Sequence, residues 1–137
     1  FDKMDQKAAI DAEIEEYKSV CAELQELMVK RQQLYSSANE NGMVKQELDL
    51  LEDDAPVFKL LGPVLIKQDL MEAKDTVEKR IEFIQREMNK VQSGIEETQK
   101  KQSELTEKIM KMQQEMQAKA ASEAQKTFAE IAAGGGS

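Results

Sequence analysis

Two long runs in which apolar residues recur at alternating steps of four and three constrain this chain more than any other feature. The first passes through Ile10, Ile14, Tyr17, Cys21, Leu24, Met28, Arg31, Tyr35 and Ala38, with Arg31 its one polar member. Val20, Leu27 and Leu34 run beside it at intervals of seven, which widens the stripe. The second run passes through Val77, Ile81, Ile84, Met88, Val91, Ile95, Thr98, Gln102, Leu105, Ile109, Met112 and Met116. A four-three repeat held for this long turns one stripe of a helix toward a partner helix, so each run predicts a long coiled-coil helix. Thr98 and Gln102 on the second stripe, and Gly94 beside it, predict a softer middle.

The segment between the runs has another texture. Asn39-Glu40-Asn41-Gly42 interrupts the first repeat, and the apolar spacing resumes at Val44, Leu48 and Leu51 about one position out of phase. That slip predicts a kink or break near residues 39–42 inside a first helical segment covering 1–52; the Asn-Gly pair alternatively marks a hairpin turn. From Pro56 to Gln68, two β-rich runs flank Gly62-Pro63, which predicts a β-hairpin within 53–68. Its strands are apolar on both faces in places, and a lone two-stranded hairpin is marginal in water. It is therefore expected to complete a larger sheet or barrel with strands of other subunits. A second helix covers 69–131, and 132–137 read as a flexible tail or an appended linker. The order helix, hairpin, helix lays the helices antiparallel, so the expected class is mainly α: a long antiparallel two-helix coiled coil joined by a β-hairpin.

Charge agrees with this pairing and excludes several functions. Residues 1–27 carry eight acidic and three basic side chains, whereas 99–119 carry five basic and three acidic, so the distal legs attract. The formal charge of -8 is the wrong sign for gripping a phosphate backbone or an anionic bilayer, so neither nucleic acid nor membrane is an expected partner. The longest uncharged apolar run, Leu60 to Ile66, falls far short of the ~20 residues of a membrane span. Cys21 reads as a small core thiol and fits a reducing compartment. A chain starting at Phe1 suggests that the natural N-terminus lies upstream. With no His, no glycine-rich phosphate loop and no cysteine cluster, every common route to catalysis lacks a component. No catalytic residue, metal or cofactor is expected. Glu52-Asp53-Asp54 lacks the spaced oxygen ligands of a calcium loop and reads as a solvated turn.

The residues Val44-Lys45-Gln46-Glu47-Leu48, Leu50-Leu51 and Val57-Phe58-Lys59-Leu60-Leu61-Gly62-Pro63-Val64-Leu65-Ile66-Lys67-Gln68 resemble the prefoldin family. So do Glu72-Ala73, Val77, Lys79-Arg80 and Ile81-Glu82-Phe83-Ile84. Room for one hairpin places the resemblance with the β-type subunits. It implies a cytoplasmic hetero-hexamer of α- and β-type prefoldin subunits whose hairpins close into barrels and whose coiled coils hang as arms. It further implies that the arm tips hold unfolded client proteins, actin and tubulin among them, and pass them to the cytosolic chaperonin without ATP.

Two sets of candidate site residues follow. Val57, Phe58, Leu60, Leu61, Val64, Leu65 and Ile66 are both sheet core and subunit-assembly surface, because neighbouring strands belong to other chains. Phe1, Met4 and Ile10 on one leg, and Met110, Met112, Met116, Phe128 and Ile131 on the other, form the expected client-binding tip. Methionine suits a surface that must fit many apolar segments. If Tyr35 lies opposite Val77, then Ile10 faces Gln102 and Phe1 faces Lys111, which leaves Met112 to Ile131 overhanging. A coiled-coil tether without client binding is the competing expectation, and it calls for stripes packed to both ends.

Overall fold

Long stretches rich in helix formers on either side of a β-rich Gly-Pro hairpin leave the chain few choices, and the computed structural model, which describes residues 3–135, follows them. The order is α1 (Lys3–Asp49), β1 (Val57–Leu61), β2 (Val64–Gln68) and α2 (Leu70–Gly134). Contacts divide the chain into two compact units, Gln25–Glu96 and Phe1–Leu24 with Glu97–Ser137.

In the unit that holds the hairpin, the helices pair antiparallel. Lys45 Nζ stands 3.0 Å from Glu78, Arg31 donates to Gln92 Oε1 at 3.3 Å, and Lys74 lies 3.9 Å from Asp49. The buried side chains are Leu48 from α1 and Leu70, Ala73, Val77, Ile84, Val91 and Ile95 from α2. Leu48, Leu70, Ala73 and Val77 form a cluster against which Val57 packs, so the base of β1 is anchored to the helices. Asp69, followed by Glu72 three residues on, has the pattern of a helix start. Its carbonyl accepts the Ala73 N–H at 2.9 Å.

The row of α1 that turns inward here differs from the expected one. Met28 and Tyr35 are 37% and 50% exposed, while Leu27, Arg31, Leu34, Ala38, Asn41 and Lys45 are half-buried and Leu48 is buried. Along that row the four-three alternation never slips. The expected break at 39–42 is therefore corrected: α1 is continuous through Asn39-Gly42, and the hairpin-turn alternative falls with it. Asn41 satisfies its amide within the helix by donating to the Ser37 carbonyl at 2.8 Å, and nothing lies within 4 Å of where a Cβ on Gly42 would stand. Asn-Gly is a local turn signal, and packing on a partner helix outweighs it.

In the other unit Ile10, Val20 and Thr98 are buried, with Ile14, Tyr17, Cys21, Leu24, Gln102, Leu105 and Ile109 half-buried. Glu13 accepts a charged hydrogen bond from Lys108 at 2.8 Å, and Gln102 Nε2 donates to Cys21 Sγ at 3.3 Å. Ile10 shares a surface hollow with Met112 and Met116. The expected pairing of Ile10 with Gln102 is thus wrong by about ten residues, or nearly three helical turns. Its cause is the assumed turnaround at Tyr35 and Val77, since α1 continues as far as Asp49 before the chain reverses. α2 also continues through residues 132–134, which had been expected in the tail.

Candidate functional site

The hairpin is built by its turn. Gly62 has φ of +57°, the left-handed region that costs other residues a Cβ clash, and Pro63 holds the next φ negative. A two-residue loop with positive φ at its first position matches the right-handed twist of paired strands. The register is Leu61 opposite Val64, Leu60 opposite Leu65, Lys59 opposite Ile66, Phe58 opposite Lys67 and Val57 opposite Gln68. Side chains alternate, so Leu60 and Leu65 rise on one face while Leu61, Val64 and Ile66 share the other with Val57.

Apart from Val57, the apolar residues expected in the assembly surface are all exposed. Leu60 is 68% exposed, Leu65 64%, Phe58 and Val64 55%, with Leu61 and Ile66 close behind. Among the described residues the sheet has only these two strands, so each keeps an outer edge of unpaired backbone groups. An exposed, largely apolar ribbon with open edges is a template for another strand.

The residues expected at the client tip are divided by the structure. Met4, Met110, Phe128 and Ile131 are exposed, Phe128 and Ile131 on a stretch of α2 where every residue after Ala120 is exposed. Ile10 is buried, and Met112 and Met116 are half-buried beside Asp5, Gln6 and Ala9, so these three are core of the helix pair. Phe1 lies outside the described residues. The overhang consequently begins near Ala120 rather than at Met112.

Sequence reasoning passed over the exposed Leu50 and Met71 beside the hairpin and the exposed Phe83 further along α2. Phe83 carried a signal, being a large aromatic one step off the Ile81–Ile84 stripe. Lys45 is the one described group held clearly away from its ordinary value: the hydrogen bond from its ammonium to Glu78, then the charge of Glu78, raise it above 10.5. No described helix is long and apolar enough to cross a membrane, and no described cluster of three His, Cys, Asp or Glu could hold a metal ion.

Comparison with known proteins agrees with this architecture. The family profile described as prefoldin subunit matches residues 4–116. A probable prefoldin subunit 6 of Caenorhabditis elegans is 40% identical over 121 residues, covering 87% of this chain and 96% of that protein. Prefoldin subunit 6 of Homo sapiens is 39% identical over 108 residues, covering 79% of this chain and 84% of its own length. The prefoldin beta subunit from Thermococcus strain KS-1 superposes with a TM-score of 0.70 at 23% identity, covering 75% of this chain and 90% of that one, a likeness of fold.

Proposed function

The chain belongs to the prefoldin subunit family, chaperone components that assemble with other prefoldin subunits, and on that premise we propose that it is one subunit of a cytoplasmic hetero-hexamer of α- and β-type chains. The complex acts as an ATP-independent holdase. Its hairpins join the subunits, its arm ends hold unfolded clients of the actin and tubulin kind, and it hands them to the cytosolic chaperonin.

The observation that carries this reading is the hairpin, whose exposed Phe58, Leu60, Leu61, Val64, Leu65 and Ile66 lie between two open edges. Burying such side chains contributes about 25 cal/mol per Å² of apolar surface, and edge pairing satisfies the backbone at the same time. Exposed Phe128 and Ile131 support client contact at the end of α2. Weak contacts from several arms around one client multiply into useful retention. A tether without client binding draws support from Ile10, Met112 and Met116, which pack instead of standing free.

The test is reconstitution with the remaining subunits. Leu60→Asp with Val64→Asp is expected to abolish incorporation into the hexamer while circular dichroism of the chain stays strongly helical; incorporation at the wild-type level would remove the hairpin as the interface. Light scattering of a denatured client diluted into the assembled complex separates holdase from tether, since a tether gives no protection.

A further inference from the structure

The two open edges of the hairpin are alike in backbone and unlike in what they offer a second copy of this chain. Gly62 and Pro63 form a two-residue loop, so the turn hydrogen bond joins Leu61 and Val64, and bonded pairs then alternate along the ribbon. Val57, Lys59 and Leu61 thus direct their backbone groups at Gln68, Ile66 and Val64. The N–H and C=O groups that point outward belong to Phe58 and Leu60 on β1 and to Leu65 and Lys67 on β2.

Two copies related by a twofold axis pair like edges antiparallel, and a single register engages every outward group. On β1 that register sets Phe58 opposite Leu60 of the second copy and Val57 opposite its Leu61, with Lys59 on the axis facing Lys59. The axial pair is of the unbonded kind, in which Cα atoms approach to about 4.5 Å and side chains are closest. Like charges directly opposed destabilise a strand pair. Lys59 is exposed, and among the described residues it has no ion-pair partner to neutralise it. On β2 the corresponding register sets Ile66 opposite Ile66, Val64 opposite Gln68 and Leu65 opposite Lys67. The two Lys67 side chains then stand on either side of the axis and not across from each other. Ile66 and Leu65 are exposed, so this pairing buries apolar surface.

We propose that the hairpin accepts a second copy of this chain through β2 and refuses it through β1, where Lys59 is the deciding residue. The inference rests on the hairpin being the assembly surface and says which edge takes which strand. Everything else on the β1 edge suits self-pairing, since Val57, Phe58, Leu60 and Leu61 are all apolar. A lysine on an edge strand is a known guard against unwanted pairing. Lys59 therefore stops self-association at two copies and leaves β1 to a strand of different sequence.

The experiment follows the isolated full chain by analytical ultracentrifugation over a range of concentrations. Wild type is expected to move between monomer and dimer. Ile66→Lys puts like charges on the β2 axis and is expected to raise the dimer dissociation constant about tenfold. Lys59→Leu is expected to carry association beyond the dimer, because copies can then add at both edges. Lys59→Glu alone should behave as wild type, whereas its equimolar mixture with wild type should also pass the dimer, unlike charges now meeting on the β1 axis. In a Cys21→Ser chain, Ile66→Cys is expected to give a disulfide-linked dimer on mild oxidation and Leu61→Cys is not. Positions 59, 61 and 66 are exposed, and unchanged circular dichroism of each variant confirms an intact helix pair. A wild-type chain that stays monomeric, an Ile66→Lys chain that dimerises as wild type, or a Lys59→Leu chain that stops at two copies would overturn the proposal. Failure of the underlying reading is seen separately. If the Leu60→Asp, Val64→Asp chain still joins the hexamer, the hairpin reading falls; if that chain is excluded while Ile66→Lys dimerises as wild type, only the edge assignment falls.

Discussion

Gly94 faces Leu27 across the helix pair, and a Cβ there would stand 3.5 and 3.6 Å from the two Leu27 methyl carbons. That is ordinary contact, so the residue that reads as a flaw in the second stripe can be filled without displacing anything. Gly94→Ala is expected to stabilise the chain by up to about 1 kcal/mol, the helix-propensity difference, read as a higher urea midpoint. A lower midpoint would mean that Leu27 needs the space. Next to it, Ile95 is 2% exposed, and Ile95→Ala is expected to cost about 2–5 kcal/mol in the same titration, because the helix pair cannot collapse fully into the gap. The Lys45–Glu78 bond gives a signed pH effect. Folding holds the Lys45 ammonium above its ordinary value, so its contribution is present at neutral and mildly alkaline pH and fades only as pH rises through the raised value. The midpoint difference between wild type and Lys45→Met should hold constant from neutral pH upward and close only under strongly alkaline conditions. A difference that closes below pH 10 would show that another group carries the effect.

At the level of elements, the hairpin depends on one backbone angle. Gly62→Ala keeps every strand residue but places a Cβ at φ +57°, a strain of about 1–2 kcal/mol that falls on a two-stranded ribbon with little stability of its own. Incorporation into the hexamer is expected to weaken measurably, while far-ultraviolet circular dichroism, dominated by α1 and α2, is unchanged. The end of α2 differs from the rest of that helix. Met112 and Met116 still pack near Ile10, but beyond Ala120 every described residue is exposed, and an unsupported helix in water is marginal. Hydrogen exchange should therefore show amides after Ala120 opening much faster than those around Val91 and Ile95; equal protection would require a partner for that segment.

For the molecule as a whole, unsatisfied surfaces at the hairpin and at the end of α2 imply a chain built for company. Alone, it is expected to be strongly helical yet to elute in size exclusion as a concentration-dependent mixture, and a sharp concentration-independent monomer would count against an obligate assembly role. The arm-end residues divide into two experimental classes. Phe128→Ser with Ile131→Ser removes exposed apolar surface, so assembly and stability should persist, and on the holdase reading proposed above protection of a denatured client should fall in part, since one arm would supply a fraction of a multivalent grip. Met112→Ser with Met116→Ser should lower stability as well, since both pack beside Ile10. Unchanged client protection by the Phe128, Ile131 variant would move this subunit toward a structural role in the ring.

Helix, hairpin and helix, and the inward residues of α2 from Val77 to Met116, are legible in the amino-acid sequence because heptad spacing and the Gly62-Pro63 turn are local signals, complete within a few neighbouring residues. The apolar character of the hairpin is legible in the same way. Three matters were settled only by tertiary packing. Leu27 and Leu34 turn inward in place of Met28 and Tyr35: both rows are apolar, and the choice depends on how α1 is rotated against α2. The continuity of α1 through Asn39-Gly42 follows from that rotation, since on the chosen row the repeat never slips. Pairing Ile10 with Met112 and Met116, which converts three expected tip residues into core, depends on where the chain reverses. A repeating stripe matches itself at every shift of seven residues, so periodicity alone cannot set that register, whereas the anchored hairpin base and the single geometry in which Leu48, Leu70, Ala73 and Val77 meet can.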